Sequence, residues 1–347
     1  MSHDQPPAPR RRTATPDKPP TLVDVARVAG VSPITVSRTL NQPEIVRPAL
    51  REKVFRAVRK VGYVPAMMTA GIHEERNRLV SILVPTVANS IFSDTVQALI
   101  DTLTEANYQA LIGLTNYSAE REEQLLDAIL RRRPDGIVLT GTLHTEASRV
   151  RLSRSGIPIV ECWDLAKKPL DMLVGFSHEA VGQAVADYLL GKGYRRFAAV
   201  TLDDPRGHRR YASLAATLHK HGIENIPTVV LPPPATVQLG CAGLGQLLDR
   251  GERFDVVVCS SDTLAHGVME EATERGLSVP GHLAVMGFGD LSTAAHLHPA
   301  LSSVAINGSE IGTRAAQALL QRLERPDEDS ARVRVDTGFR LIERQST

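Results

Sequence analysis

From residue 79 onward, short continuous apolar runs alternate with longer amphipathic stretches. The runs lie at 80–84, 136–140, 158–162, 197–201, 256–259 and 283–288 and are rich in β-branched residues. Between them, 92–106, 120–132, 178–192, 209–221 and 263–275 repeat apolar residues at helical spacing. Strands buried on both faces read as unbroken apolar runs, and strands alternating with helices predict parallel α/β sheets. There are more such units than one sheet comfortably holds, so two similar α/β lobes are predicted.

The pattern before residue 79 is different. Residues 1–20 hold six prolines and almost no apolar side chains, which predicts a disordered arm. Residues 21–62 are helical in pattern, punctuated by Gly30, Asn41-Gln42-Pro43 and Gly62. Thr21 can cap a first helix, with Asp24 as its partner three residues on. Leu22, Val25 and Ala29 make its inward face. Gly30 falls where the chain must turn, at a positive φ. Ser32 caps a second helix that opens with Pro33 and runs to about Leu40. Ala26 is small where the second helix crosses, and Val36 fills the gap between the two. The spacing of Ala26, Gly30 and Val36 predicts a helix-turn-helix whose second helix enters the DNA major groove. Residues 48–61 read as a third, amphipathic helix resting on Leu50, Val54, Val58 and Val61.

Charge supports a nucleic-acid partner. Residues 1–78 hold 14 basic and 7 acidic side chains, whereas residues 79–347 hold 26 and 32. A basic head on an acidic body is suited to a polyanion. At the start of the second helix Pro33, Ile34 and Thr35 lead toward the bases, with Arg38 one turn on as a partner for a guanine edge. Ser32, Thr35 and Ser37 are placed for phosphates, and Thr21, at the start of the first helix, counts with them among the DNA-binding residues. Cys162, Cys241 and Cys259 have no paired spacing and read as reduced core residues. Arg10, Arg11 and Arg12 are not followed by an apolar stretch, and no run approaches a membrane span, so a soluble cytoplasmic protein is expected.

The sequence resembles the LacI/GalR family of bacterial repressors over nearly its whole length after residue 20. The resemblance rests on 23–26, 29–32 and 35–41 of the head, on Gly62-Tyr63-Val64-Pro65, and in the body on 89–92, 134–138, 156–160, 261–267 and 285–288. Within the family it is most similar to gluconate-utilisation repressors, through 139–145, 159–164 and 173–176. The resemblance implies a DNA-binding head (21–65), a hinge (66–78) and a two-lobed core like periplasmic sugar-binding proteins (79–347). Its three crossings put about 79–175 and 305–333 in lobe one, and 176–304 and 334–347 in lobe two. It also implies a homodimer on a palindromic double-stranded operator. Ala66 and Met67 stand where the family often has Asn-Arg, and Ile72 where it places a leucine that wedges into the minor groove.

In two-lobed α/β binders the ligand sits at the carboxyl ends of the strands. The expected contacts are therefore Asn89, Phe92, Thr142, His144, Trp163 and Asp164 in lobe one, and Arg209 or Arg210, Ser261, Asp262 and Gly289 in lobe two. Trp163 could stack on a sugar or simply pack at the core edge. Arg206, Arg209 and Arg210 could clamp a carboxylate or form a solvated basic turn. Ser261-Asp262, Gly289 and Ser177-His178 replace an Asn-Asp pair, an Asp and an Asp-Asn pair of the family, which weighs against a neutral pyranose. The expected effector is gluconate, gluconate 6-phosphate or 2-ketogluconate, with no cofactor and no metal. Two rival readings are a periplasmic-type sugar-binding protein and a regulator responding to a neutral sugar or another metabolite. An enzyme is opposed by the absence of nucleophile-elbow, zinc-protease and phosphate-loop motifs.

Overall fold

The computed structural model describes residues 20–63, 77–87, 90–142, 144–325 and 333–347. They fall into two compact units, divided between residues 75 and 76. The first holds three helices, α1 (Leu22–Ala29), α2 (Pro33–Asn41) and α3 (Pro48–Val61). Each boundary has a local cause. Thr21 and Asp24 form a reciprocal capping box: the Thr21 amide donates to Asp24 Oδ2 (2.9 Å) and the Asp24 amide to Thr21 Oγ1 (3.4 Å). The hydrogen bonds from Thr21 hold the Asp24 carboxyl below the usual carboxylate range. Gly30 ends α1 at φ 60°, where a Cβ would be strained. Ser32 caps α2, accepting from the Thr35 amide at 3.2 Å, with Pro33 as first helical residue. Val25, Ala26, Ala29, Val36, Val54 and Ala57 make the core, with Leu22, Val58 and Val61 around it. Leu50 stays outside this cluster, and Ala57 takes the inward place expected of it.

The second unit alternates strands and helices: β1 (Leu79–Val84), α4 (Ser93–Glu105), β2 (Gln109–Leu114), α5 (Ala119–Leu130), β3 (Gly136–Thr140), α6 (Glu146–Arg154), β4 (Ile159–Cys162) and β5 (Met172–Gly175). There follow α7 (His178–Gly191), β6 (Phe197–Leu202), α8 (Pro205–Lys220), β7 (Thr228–Leu231), α9 (Val237–Asp249), β8 (Val256–Cys259), α10 (Asp262–Glu274) and β9 (Ala284–Met286). The chain ends with β10 (Ser303–Ala305), α11 (Gly308–Glu324), β11 (Arg334–Asp336) and β12 (Arg340–Ile342). One parallel sheet has the order β11-β5-β4-β3-β1-β2, and a second β7-β6-β8-β9. The antiparallel pair β10-β12 meets the second sheet through bridges 286–302 and 289–305. The chain passes between the sheets after β5, after β10 and after β11. The last passage lies later than expected, because Arg334–Asp336 pairs with β5 and so belongs to the first sheet.

Helices α4 and α11 pack together on the first sheet, while α7 with α8 and α9 with α10 cover the second. One apolar cluster runs through both lobes, from Val80 and Leu99 by way of Phe176 to Phe197, Met286 and Phe288. Parallel strands that point the same way bring their carboxyl ends to one place in each lobe, and there the cleft lies.

Candidate DNA-binding surface and effector cleft

On the head, the start of α2 is the most outward-looking apolar feature. Ile34 is 71% exposed, and Pro33 and Arg38 are exposed beside it. The Ser32 hydroxyl is committed to the cap and to Thr35 Oγ1 (2.9 Å), and Thr35 and Ser37 are half-buried. Thr39, buried, donates to the Thr35 carbonyl at 2.7 Å and steadies the helix from within. Thr21 is spent on the capping box. Two anticipated contacts, Ile72 and Asn89, lie outside the described residues.

The cleft of the second unit holds two adjoining hollows. Phe92, Trp163, His178, Ser261 and Phe288 line the first; Ser118, Glu122, Thr142, His144 and Asp164 line the second. Tyr117 and Arg206 line both. Left-handed backbone collects at the strand ends here: Tyr117 has φ 58°, Trp163 68° and Asp290 50°, and Gly141 and Gly289 lie at 111° and 124°. Bulky residues adopt such angles only where surrounding contacts over-determine them.

Three arginines enter from the first turns of α8, whose N-cap Asp204 accepts from the Arg206 and Gly207 amides. Arg209 crosses the cleft to Asp164, which also accepts from Thr142 Oγ1 at 2.8 Å. Arg210 lies 3.9 Å above the Phe288 ring, donates to the Ser260 carbonyl (3.1 Å) and reaches His178 Nδ1 (3.0 Å). Burial brings the Arg210 guanidinium down to about 10, still charged at neutral pH. Burial, reinforced by Arg210, Arg206 and Arg209, holds His178 well below its ordinary value. It is therefore neutral, accepting at Nδ1 from Arg210 and donating from Nε2 to the Trp163 carbonyl at 3.0 Å. Arg206 differs from its neighbours. It stacks 5.1 Å from the Phe92 ring, and its buried Nη1 has no hydrogen-bond partner among the described residues.

Several expectations change. Trp163 lines the cleft but offers no open face: it is 2% exposed, packs edgewise on Phe92 and Phe176, and donates from Nε1 to Thr95 Oγ1. Asp164 and Thr142 are bound to each other, and Asp164 to Arg209, so neither presents a free group. His144 is buried between carboxylates, with Nδ1 2.9 Å from Glu122 and Nε2 3.4 Å from Glu161, the latter an ion pair without hydrogen-bond geometry. Burial opposes its charge, but Glu122 and Glu161 outweigh it and push the imidazole up to about 9. Asp262 braces the second lobe instead of facing the hollows, accepting from Ser303 Oγ (2.6 Å) and the Leu291 amide (2.7 Å). Gly289 is a backbone turn, packed near Ile91. Phe92 and Ser261 do line the first hollow, the latter as N-cap of α10. Arg209 is engaged by Asp164 and Arg210 by Ser260 and His178, which leaves Arg206 Nη1 as the buried guanidinium end group without a partner among the described residues. Tyr117, His178 and Phe288 complete the walls and were not anticipated as contacts. Among the described residues no cluster of His, Cys, Asp and Glu could hold a metal, and no helix is long and apolar enough to cross a membrane.

A helix-turn-helix head followed by a two-lobed α/β core with a charged cleft defines a DNA-binding transcription regulator of the ligand-binding kind. Residues 21–66 match the bacterial regulatory proteins of the lacI family, and residues 186–347 the periplasmic binding protein-like domain. The HTH-type transcriptional regulator GntR of Pseudomonas aeruginosa is 38% identical over 331 residues, covering 94% of this chain and 96% of that one. Among solved structures, a LacI-family transcriptional regulator from Silicibacter pomeroyi is 30% identical with a TM-score of 0.85, over 94% of this chain and 99% of that one. The transcription regulator GntR from Chromobacterium violaceum is 37% identical with a TM-score of 0.73, over 77% of this chain and 98% of that one. The chain belongs to the LacI family of transcriptional regulators.

Proposed function

We propose that this regulator is a cytoplasmic homodimeric repressor released from its operator by a sugar acid, gluconate or a close relative. One observation carries the effector class: the half-buried Arg206 lines both hollows, and its buried Nη1 has no hydrogen-bond partner among the described residues. A buried donor left unpaired is costly, and a ligand carboxylate would satisfy it with a charge-assisted hydrogen bond. Ser118, Glu122 and Tyr117 around the second hollow suit the hydroxyls of a polyol tail. Relatives named GntR support the same reading.

The dimer is supported by two sheet edges, β2 and β7, whose outward Ile112 and Val230 are 40% and 51% exposed. Open edges with apolar side chains favour a covering partner. The effector acts by favouring one lobe arrangement over the other, since equal affinity for both shifts nothing. In the dimer this alters the spacing of the two hinges, so that Ile72 and its partner no longer meet at the operator centre. Calorimetry with gluconate, gluconate 6-phosphate, 2-ketogluconate and glucose, with and without operator, tests the reading. The acids should bind more tightly than glucose, and operator should weaken effector binding by the same factor that effector weakens operator binding. Tighter binding of glucose would defeat the sugar-acid assignment, and effector affinity indifferent to operator would defeat the coupling.

A further inference from the structure

The acidic body carries one strongly basic edge. Between residues 131 and 154 there are six arginines and only two acidic side chains. Arg131, Arg132 and Arg133 follow the end of α5, and Arg154 ends α6. All four are exposed, and none forms an ion pair among the described residues. Arg133 and Arg154 flank one hollow with Leu130 and Pro134 at its wall. The nearby acids are already committed: Asp127 pairs with Arg151 at 2.9 Å, and Asp135 accepts from the Asn77 and Leu79 amides.

This edge lies at the amino ends of β3 and β4, opposite the effector cleft. It is also where the chain arrives from the head. The Asn77 amide group donates to the Arg133 carbonyl at 2.7 Å, and the Asn77 backbone to Asp135 at 3.2 Å. The residues joining Tyr63 to Asn77 span at most about 50 Å when fully extended, which bounds the distance from the last described residue of the head to the Asn77 anchor on Arg133 and Asp135. Guanidinium groups gathered without counter-charges repel one another, and a phosphate backbone relieves this.

We propose that Arg131, Arg132, Arg133 and Arg154 form a second DNA contact on the core, gripping backbone phosphates beyond the half-site read by the helix-turn-helix. The contact carries no sequence preference and makes operator affinity depend on flanking DNA. The test uses the full-length protein and a duplex selected by it from a random-sequence pool, presented with about 20 base pairs of random flank on each side or trimmed to the selected site. The comparison is between wild type and Arg131→Gln/Arg132→Gln/Arg154→Gln. Wild type should bind the flanked duplex more tightly and with a steeper dependence on salt. The triple variant should bind both duplexes alike, its salt slope on the flanked one lower by up to about three per protomer. Lysines at the same three positions should restore the flank effect, because charge and not the guanidinium fork is required; unchanged melting of the core shows that each variant is folded. Wild type indifferent to flanks, or a glutamine variant that keeps the preference, would overturn the proposal. So would a variant that loses repression in cells with its flank preference intact, which would assign the edge to an acidic protein.

Discussion

The head and the cleft treat their polar groups in opposite ways. In the head the caps of α1 and α2 are made within a few residues of chain, and the side chains for DNA stand outside: Ile34, Pro33 and Arg38 face solvent over a small apolar core. In the cleft, charges from distant elements meet: Arg209 of α8 pairs with Asp164 after β4, next to strand ends on left-handed backbone, and Arg206 Nη1 has no hydrogen-bond partner among the described residues. A surface that must meet a large polyanion can be built from sequence-local rules. A site that encloses a small anion has to be assembled from both lobes, with its affinity stored as an unmet electrostatic demand.

If this contrast is right, pH should separate the two regions most strongly. His144 is raised to about 9 by its two glutamates. Its contribution to core stability is therefore complete below its unfolded value near 6.5 and is lost as pH rises through about 9, on the order of 3 kcal/mol in all. Melting of the core followed from pH 6 to 10 should show this fall, and His144→Gln should flatten it; identical profiles would remove the buried triad from the account. Next in size, Arg206→Ala should weaken sugar-acid binding about 100-fold, the value of one charge-assisted contact of roughly 2–3 kcal/mol. Calorimetry showing an unchanged affinity would mean that the carboxylate sits elsewhere. Gly30→Val should cost the head about 1–2 kcal/mol through its positive φ while the core melts as before, which calorimetric scanning resolves as two transitions. The smallest effect is Thr21→Ala, at about 1 kcal/mol of head stability for the lost cap. A head that melts unchanged in that variant would show the capping box to be idle.

The head was legible because Thr21, Asp24, Gly30, Ser32 and Pro33 act on their own neighbours. Strands β3 and β8 were legible because both their faces are buried, leaving unbroken apolar runs. β2 was not: it is an edge strand that opens on the exposed Gln109 and contains Gly113, so its unbroken bulky apolar run is short. The cleft was read by position, as whatever follows each strand, and that rule does not distinguish a free group from a paired one. Asp164 and Thr142 satisfy each other, which a separation of 22 positions in the chain conceals. Arg206 was named beside Arg209 and Arg210 as a possible clamp but left out of the expected contacts. Asp204 and Pro205 are a cap and a first-turn residue, and they start α8 ahead of the apolar periodicity from 209 onward that located the helix, placing Arg206 in its first turn.

Trp163 is the chain's single tryptophan, and it is held in the cleft wall against Phe92, the ring on which Arg206 rests. Intrinsic indole emission from this protein is therefore a signal from one place. It carries no contribution from the DNA-binding head, where no tryptophan exists. An effector that draws Arg206 off Phe92 changes the indole's immediate surroundings, while operator binding reaches the dye only through the lobes. The molecule thus contains its own optical probe, able to report effector occupancy and operator coupling in separate titrations without a label.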